Sequence, residues 1–473
     1  MRYFIKEDDI EQELIDVCMN ELHYDHHFDC MNIDHLHRKN EVEVLNLDVL
    51  RQAIRSVNNE ATDRPQGMTD AEVEQAIDAI RASDLNVDGH ILNQRILTTI
   101  ISGCRMQVLQ SNGHKELRTV HYIDWKEGNA DNNQFDVINQ LWIQGQVYRL
   151  RPDVIVYING IPLVTIELKD SNIPVREAYD NNLTRYKAAI PQIMAYNAFL
   201  VASNATKTRL GSTFADWTYF SPWFRASEDE KADKEQLEAD KTTLDAMARS
   251  LLKKENLLNY IANYILFYKG TNKICAKNHQ FLGVNRAVER FRYLQFGKPK
   301  ADEQGKMGVF WHTQGSGKSF SMVFLARYLK NRFQGNYTFL VITDREDLDD
   351  QIYRNFLHSG FMSEQEDCRP QSSERLREML TEDHRILFSL IQKFRYDKRK
   401  KYPVLSERDD IIVMIDEAHR TQYKSLAENL RAGLPNAKYM AFTGTPLFGS
   451  KQLTNRWFGA TVSEYNFSQA VAD

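Results

Sequence analysis

Apolar residues recur at helical spacing near the start of the chain, where Ile10, Leu14, Ile15, Cys18 and Leu22 form one stripe within Ile5–His23. Thr69-Asp70-Ala71-Glu72 is a capping box, in which threonine and glutamate satisfy each other's backbone amides, and it predicts a helix to about Ser83. Between 134 and 210 the pattern changes to short apolar runs divided by turn residues, as strands require. Leu244–Tyr268 returns to helical spacing. Beyond Lys306, apolar runs near 307–311, 338–342, 385–390, 411–415 and 439–442 alternate with helical or charged stretches. That rhythm predicts an α/β fold with a mainly parallel sheet in the C-terminal part.

At 473 residues the chain exceeds one ordinary domain. Its 42% hydrophobic and 26% charged residues exclude a disordered chain. No apolar stretch reaches the ~18 residues of a membrane helix, and Met1–Asp9 lacks a signal-peptide core, so no membrane association is expected. Cys18, Cys30, Cys104, Cys275 and Cys368 lie far apart with no C-x-x-C pair, and read as reduced thiols of a cytoplasmic protein. The net charge of −5 hides an asymmetry: the first hundred residues carry 9 Lys and Arg against 21 Asp and Glu, the rest 51 against 44. A mildly basic body therefore follows an acidic segment, which permits contact with a polyanion. The charged run Glu228–Lys241 marks the expected boundary between domains 1–242 and 243–473. His23, His26, His27, His35 and His37 gather near Cys30 without a zinc-ligand spacing, open to a metal or to a solvated loop.

Within Arg151–Lys169, two strands flank Asn159-Gly160, a hairpin dipeptide. Val154, Val156 and Ile158 share one face of the first strand, and Pro162, Val164, Ile166 and Leu168 one face of the second. The opposite faces carry Arg151, Asp153, Tyr157, Thr165, Glu167 and Lys169. An uninterrupted two-residue loop would pair Asp153 with Ile166 and set polar against apolar faces. An odd connection or a bulge is therefore expected, bringing Asp153, Glu167 and Lys169 to one side of the sheet. Two carboxylates beside a lysine suit Mg2+-assisted phosphodiester hydrolysis, with Asp153 and Glu167 on the metal and Lys169 orienting water and stabilising the pentavalent charge. An amphipathic hairpin with a surface ion pair would carry the same residues.

Met307–Trp311 reads as a buried strand running into His312-Thr313-Gln314-Gly315-Ser316-Gly317-Lys318-Ser319 and then a helical pattern. That is the context of a P-loop: amides of the Gly315, Ser316 and Gly317 turn cradle phosphates, Lys318 neutralises β/γ charge, and Ser319 binds Mg2+. His312 stands where the consensus has glycine. Ile411–Ile415 ends in Asp416-Glu417-Ala418-His419, which puts Asp416 in the metal's shell and Glu417 on the attacking water. Ala441-Phe442-Thr443-Gly444-Thr445-Pro446 follows a further short strand.

This second set resembles the first motor domain of superfamily 2 helicases and translocases of the DEAH type. The resemblance implies ATP and Mg2+ as cofactors, Gln280 reading adenine, and His419, Thr443 and Thr445 coupling the nucleotide site to DNA movement. Val341–Arg345 and Phe388–Phe394 resemble its DNA-contacting motifs, though Thr343 and Ser389 also suit capping and turn chemistry. Lys393–Lys401 packs six basic residues into nine positions, as a solvated loop or a DNA contact. Pro152-Asp153 with Glu167-Leu168-Lys169 resembles the PD-(D/E)xK nucleases. Gln192 and Tyr196, at i and i+4, resemble the Q-x-x-x-Y element of their RecB-like branch, which also carries a glutamate on its first helix, here Glu11 or Glu13, with Glu11 preferred. The phrases IPLVTIELK, WHTQGSGKS, IDEAH and AFTGTPL, in that order, resemble the R (motor) subunit of type I restriction enzymes. That implies a Mg2+-dependent DNA endonuclease in a central mixed sheet flanked by helices, joined to a RecA-like P-loop domain that drives translocation of double-stranded DNA. It further implies assembly with modification (methyltransferase) and specificity subunits. The alternatives are another ATP-dependent helicase–nuclease, of repair or type III restriction character, and an inert DNA-binding assembly remnant. No motif of a second RecA-like domain occurs here, so weak nucleotide binding and no DNA-dependent ATPase are expected of 1–473 alone.

Overall fold

Seven strands of the N-terminal region hydrogen-bond in the order in which they occur in the sequence. In a computed structural model, which describes residues 4–28, 38, 40–82, 85–227, 242–396, 402–416, 423–444 and 457–466, they are β1 (Asp25–Phe28), β2 (Phe135–Asn139), β3 (Val154–Ile158), β4 (Ile161–Leu168), β5 (Phe199–Ser203), β6 (Thr208–Gly211) and β7 (Ser221–Pro222). β1 is parallel to β2 and β4 to β5, while the other neighbours are antiparallel, the mixed sheet expected. Every residue of β3 and β4 is buried, Thr165 and Glu167 included, so both sheet faces need cover. Among the helices are α1 (Glu7–Asp16), α2 (Leu47–Val57), α3 (Asp70–Ile80), α4 (Gly89–Ser102), α5 (Thr184–Ala189) and α6 (Pro191–Tyr196). α1 buries Ile10, Leu14 and Ile15 and continues into a π-turn over Val17–Glu21. The Thr69–Glu72 capping box forms as expected, though α3 ends at Ile80, short of Ser83.

The chain divides into two compact units, Met1–Asn278 and His279–Asp473. The boundary therefore lies beyond the expected division at 242/243, and the charged run 228–241 lies outside the described residues. The correction has a packing cause. α7 (Thr243–Leu251) and α8 (Lys254–Asn263) bury Leu244, Met247, Leu251, Leu257 and Ile261 within the first unit. Tyr24 Oη donates to the Leu252 carbonyl at 2.5 Å, Trp223 Nε1 to Ser250 Oγ at 3.0 Å, and Arg249 grips Glu21 through two bonds of 2.8 Å. Charge density in the sequence does not mark the place where burial against the sheet ends.

The second unit opens with α9 (Asn278–Phe296), whose first residue closes the preceding unit, and contains β8 (Lys306–His312), α10 (Lys318–Arg332), β9 (Thr338–Thr343), α11 (Glu346–His358), β10 (Ile386–Leu390), β11 (Ile411–Asp416), β12 (Lys438–Thr443) and β13 (Thr461–Tyr465). Its six strands are all parallel, in the order β10-β9-β11-β12-β8-β13. Crossovers separate β8 from β9, β10 from β11 and β12 from β13, and the C-terminal ends of β8, β11 and β12 come to one edge, the ligand-binding edge of such sheets. Among the described residues no helix is long and apolar enough to cross a membrane.

Candidate functional site

The hairpin between β3 and β4 turns through Asn159 and Gly160, both left-handed at φ 51° and 78°, the geometry of a type I′ turn. Asn159 holds this conformation through its side chain, which donates to the Tyr122 carbonyl at 2.9 Å and accepts from the Gln134 amide at 2.8 Å. Ile158 pairs with Ile161 and Tyr157 with Pro162; then the register shifts, and Val156 pairs with Val164 and Val154 with Ile166. Leu163 is the extra residue. The bulge expected from side-chain parity is thus present, inside β4 rather than in the turn. Continued one residue further, the shifted register sets Asp153 opposite Glu167.

The two carboxyl groups meet. Asp153 and Glu167 share a side-chain hydrogen bond, and Asp153 Oδ2 accepts from the Leu168 amide at 2.8 Å. Glu167 has no exposed surface, and its Oε2 accepts from the Tyr186 hydroxyl at 2.9 Å. Lys169 Nζ reaches Glu167 Oε1 at 3.4 Å, Glu7 Oε2 at 3.5 Å and the Leu168 carbonyl at 2.5 Å. Burial raises the Asp153 carboxyl, with the Leu168 amide and Lys169 opposing it. Burial, and then the adjacent charge of Asp153, push Glu167 well above the usual carboxylate range. Burial pulls the Lys169 ammonium down, but Glu167, Asp153 and Glu7 outweigh it and hold it above its ordinary value. The site thus favours protonation of its carboxyl pair, with the Lys169 ammonium beside it.

Glu11 on α1 joins this group. Its Oε1 accepts from Asn139 Nδ2 at 2.7 Å and its Oε2 from Gln140 Nε2, the same amide that reaches Asp153 Oδ1 at 3.4 Å. Glu13 instead faces Asp245 and Arg249, so the geometry favours Glu11 of the two. Gln192 and Tyr196 are not brought to the carboxylates: Gln192 Nε2 donates to the Gln144 carbonyl at 2.8 Å, and the Tyr196 hydroxyl accepts from the Ala82 amide at 3.0 Å. Both serve the scaffold around α6. The same i, i+4 spacing recurs at Asn182 and Tyr186, which bond to each other, and Tyr186 is the tyrosine on Glu167. Gln140 and Glu7 also escaped the sequence reading. Glu7 lies one helical turn before Glu11, a usable signal, whereas Gln140 depends on a left-handed backbone at φ 56° that no local pattern announces. His26 shares a 3.0 Å hydrogen bond with Asn139 from β1 rather than lying in a loop; Cys30, His35 and His37 lie outside the described residues.

In the second unit, Gly315 and Gly317 adopt φ 83° and 89° between β8 and α10, as a P-loop requires. A side chain on Gly317 would meet Gln280 Nε2 at 2.7 Å; that amide donates to the Gly317 carbonyl at 3.0 Å. His279 Nε2 lies 3.0 Å from the Ser316 carbonyl, which can only accept, so this nitrogen carries the proton. Lys318 Nζ rests on the His312 and Thr313 carbonyls at 3.2 and 3.5 Å, and Ser319 follows it in the first turn of α10. Ser316 Oγ is buried with no hydrogen-bond partner among the described residues. An ammonium held by loop carbonyls and an unsatisfied hydroxyl fit a phosphate ligand. His312, where the consensus has glycine, is fully buried and bonded to Ser463 Oγ at 2.6 Å, so it ties β8 to β13. Asp416 ends β11 opposite Phe442, and Thr443 ends β12 opposite Trp311, both at the P-loop edge. Glu417, His419 and Thr445 lie outside the described residues. Thr343 Oγ1 lies 3.4 Å from Asp349 Oδ1 in the first turn of α11, and Ser389 Oγ 3.2 Å from the Leu390 carbonyl, the capping and turn chemistry. Lys393 donates to the Pro370 carbonyl and Phe394 is buried; 397–401 lie outside the described residues.

A mixed-sheet unit with a buried carboxylate pair and lysine is followed by an all-parallel P-loop unit of RecA-like fold. Residues 4–219 match the family described as type I restriction enzyme R protein N terminus, and residues 279–473 match SWI2/SNF2 ATPase. The N-terminal unit thus groups with the type I restriction enzyme R protein family and the C-terminal unit with the SWI2/SNF2 ATPases. The type I restriction enzyme HindI endonuclease subunit of Haemophilus influenzae is 34% identical over 456 residues, covering 91% of this chain and 41% of its own. The putative MjaIXP endonuclease subunit of Methanocaldococcus jannaschii is 36% identical over 410 residues, covering 82% and 38%. The chain therefore spans about two fifths of the length of these relatives. The UvsW helicase of bacteriophage T4 aligns over 41% of this chain and 62% of its own, at 15% identity and a TM-score of 0.30.

The family implies a divalent metal at the carboxylates. No three or more His, Cys, Asp or Glu side chains converge as a metal cage among the described residues. Asp153, Glu167 and the Leu168 carbonyl nevertheless fit Mg2+, which takes one or two carboxylates and keeps water in the rest of its shell. The Lys169 ammonium already rests on two of these oxygens, showing that they accept a cation.

Proposed function

We propose that the first unit is a Mg2+-dependent DNA endonuclease and the second an ATP-binding half of a double-stranded-DNA translocase. The chain would act in the cytoplasm as the R component of a type I restriction complex, alongside modification and specificity subunits. The observation that carries this reading is the Leu163 bulge, which sets Asp153 against Glu167 with Lys169 beside them. Mg2+ bound there supplies charge neutralisation at the phosphodiester and an acidified water. Asp153, aimed by the Leu168 amide, and Glu167, aimed by Tyr186, present the carboxylate oxygens. Lys169 holds a positive charge where the pentavalent phosphorus accumulates a negative one. Lys318 and the Gly315–Gly317 amides would hold the phosphates of ATP, and Ser319 and Asp416 would hold its Mg2+.

In a reconstituted complex with modification and specificity subunits, Asp153→Ala and Lys169→Ala should each lower DNA cleavage by at least about 100-fold, comparable to losing a preorganised charge-stabilising group. ATP hydrolysis should be unchanged. Cleavage at the wild-type rate in either variant sinks the nuclease assignment.

A further inference from the structure

Between β2 and β3 the chain forms a short ribbon, Ile143–Gln144 paired with Arg149–Leu150. Its tip holds Val147 and Tyr148 in solvent, 77% and 55% exposed. Two adjacent large side chains so placed add nothing to a core and are open to a partner, which the groups around them would select. Here the rim is basic. The Arg185 guanidinium lies 5.5 Å from the Tyr148 ring centre, and Arg149 and Arg151 lie 4.0 and 5.2 Å from that of Trp142. Glu41 engages Arg149. Arg151 and Arg185 are both exposed, and no carboxylate pairs with either among the described residues.

Both free arginines are tied to the carboxylate pair. Arg151 leads through Pro152 into Asp153, and its carbonyl lies 3.4 Å from the Tyr186 hydroxyl that donates to Glu167 at 2.9 Å. Arg185 immediately precedes that tyrosine. Glu7, Glu11, Asp153 and Glu167 gather negative charge at a site meant for a polyanion, so nearby cations must hold the strand against them.

We propose that this ribbon grips the DNA for the nuclease unit. Val147 and Tyr148 enter the minor groove as an apolar wedge beside the scissile phosphodiester, and Arg151 and Arg185 hold the flanking phosphates. The inference rests on the nuclease reading above and names the residues that meet its substrate. Guanidinium groups match phosphate geometry. An apolar wedge opens a base step, and an aromatic ring stacks on any base whatever the sequence.

The test uses the full chain carrying Asp153→Ala, which leaves DNA intact, and a short duplex containing 2-aminopurine. Binding should raise the fluorescence as the step unstacks. Adding Tyr148→Ser or Val147→Ser should abolish the rise and weaken binding roughly 10-fold, whereas Tyr148→Phe keeps both. Arg151→Gln with Arg185→Gln should reduce the slope of log affinity against log salt by about 2, at ~0.9 per phosphate contact. Unchanged fluorescence, affinity and salt slope overturn the proposal. So does a Tyr148→Ser chain that binds DNA normally but loses another protein subunit. These readouts need no cleavage, so retention of cleavage by Asp153→Ala would overturn the nuclease reading separately.

Discussion

Glu167 is the most constrained charge in the site: fully buried, facing Asp153, and held by Tyr186. Because burial and Asp153 raise its pKa, the folded chain binds its proton more readily than the unfolded chain does. Stability from this group is therefore lost as pH rises from the ordinary carboxylate range, about 4.5, through the raised folded value. In chelator-treated protein, melts from about pH 5 to 8 should show the wild type losing stability relative to Glu167→Gln, by about 1.4 kcal/mol per unit of displacement. Saturating Mg2+, which favours the ionised pair, should reduce that difference; parallel curves would show that Glu167 carries no buried proton. Asp153, Glu167 and Lys169 were legible because strand alternation fixes which side chains share a face. Tyr186 was not, because helical spacing identifies pairs on one helix face without saying which face meets the sheet. The neighbouring Gln192 and Tyr196 satisfied the same spacing and went to the Gln144 carbonyl and the Ala82 amide instead.

Turns and loops decide where these side chains arrive. Gly160 sits at φ 78°, and a Cβ there would lie 2.3 Å from the Asn46 carbonyl oxygen. Gly160→Ala should cost at least about 2 kcal/mol, about 1–2 for the left-handed backbone and the rest from displacing Asn46, as measured by urea unfolding. A shift below about 0.5 kcal/mol, typical of indifferent surface changes, would mean that the turn is not rigid. In the other unit, Lys318→Ala should weaken binding of a fluorescent ATP analogue at least about 10-fold, the loss of a charge-assisted contact of roughly 1.4 kcal/mol or more; unchanged affinity would remove the P-loop assignment. Buried parallel strands such as β9 and β11 announced themselves as apolar runs. β1, with the sequence DHHF, and β13, with TVSEY, did not. Both lie at sheet edges, where backbone pairing with one neighbour suffices and no apolar period is required.

The two-unit organisation was visible in the sequence, but its boundary was not. Composition located the charged run 228–241, whereas the apolar stripes of α7 and α8 are buried on the sheet unit that precedes it. A fragment ending at 278 should unfold cooperatively and remain monomeric by light scattering. One ending at 242 should aggregate, because it strips the cover from Tyr24 and Trp223, which bond to Leu252 and Ser250. Equal behaviour of the two fragments would restore the earlier division.

The Leu163 bulge also sets a rule for how this hairpin can vary among relatives. With a two-residue turn and one unpaired residue, lengthening or shortening both arms together keeps Asp153 across from Glu167. Such changes alter their separation along the chain in steps of two. A single-residue insertion or deletion between them inverts the partnership unless the bulge is gained or lost at the same time. Length variants of the hairpin should therefore fall into one parity class wherever a bulge is kept, and a relative of the other class should carry either a straight β4 or a silent site.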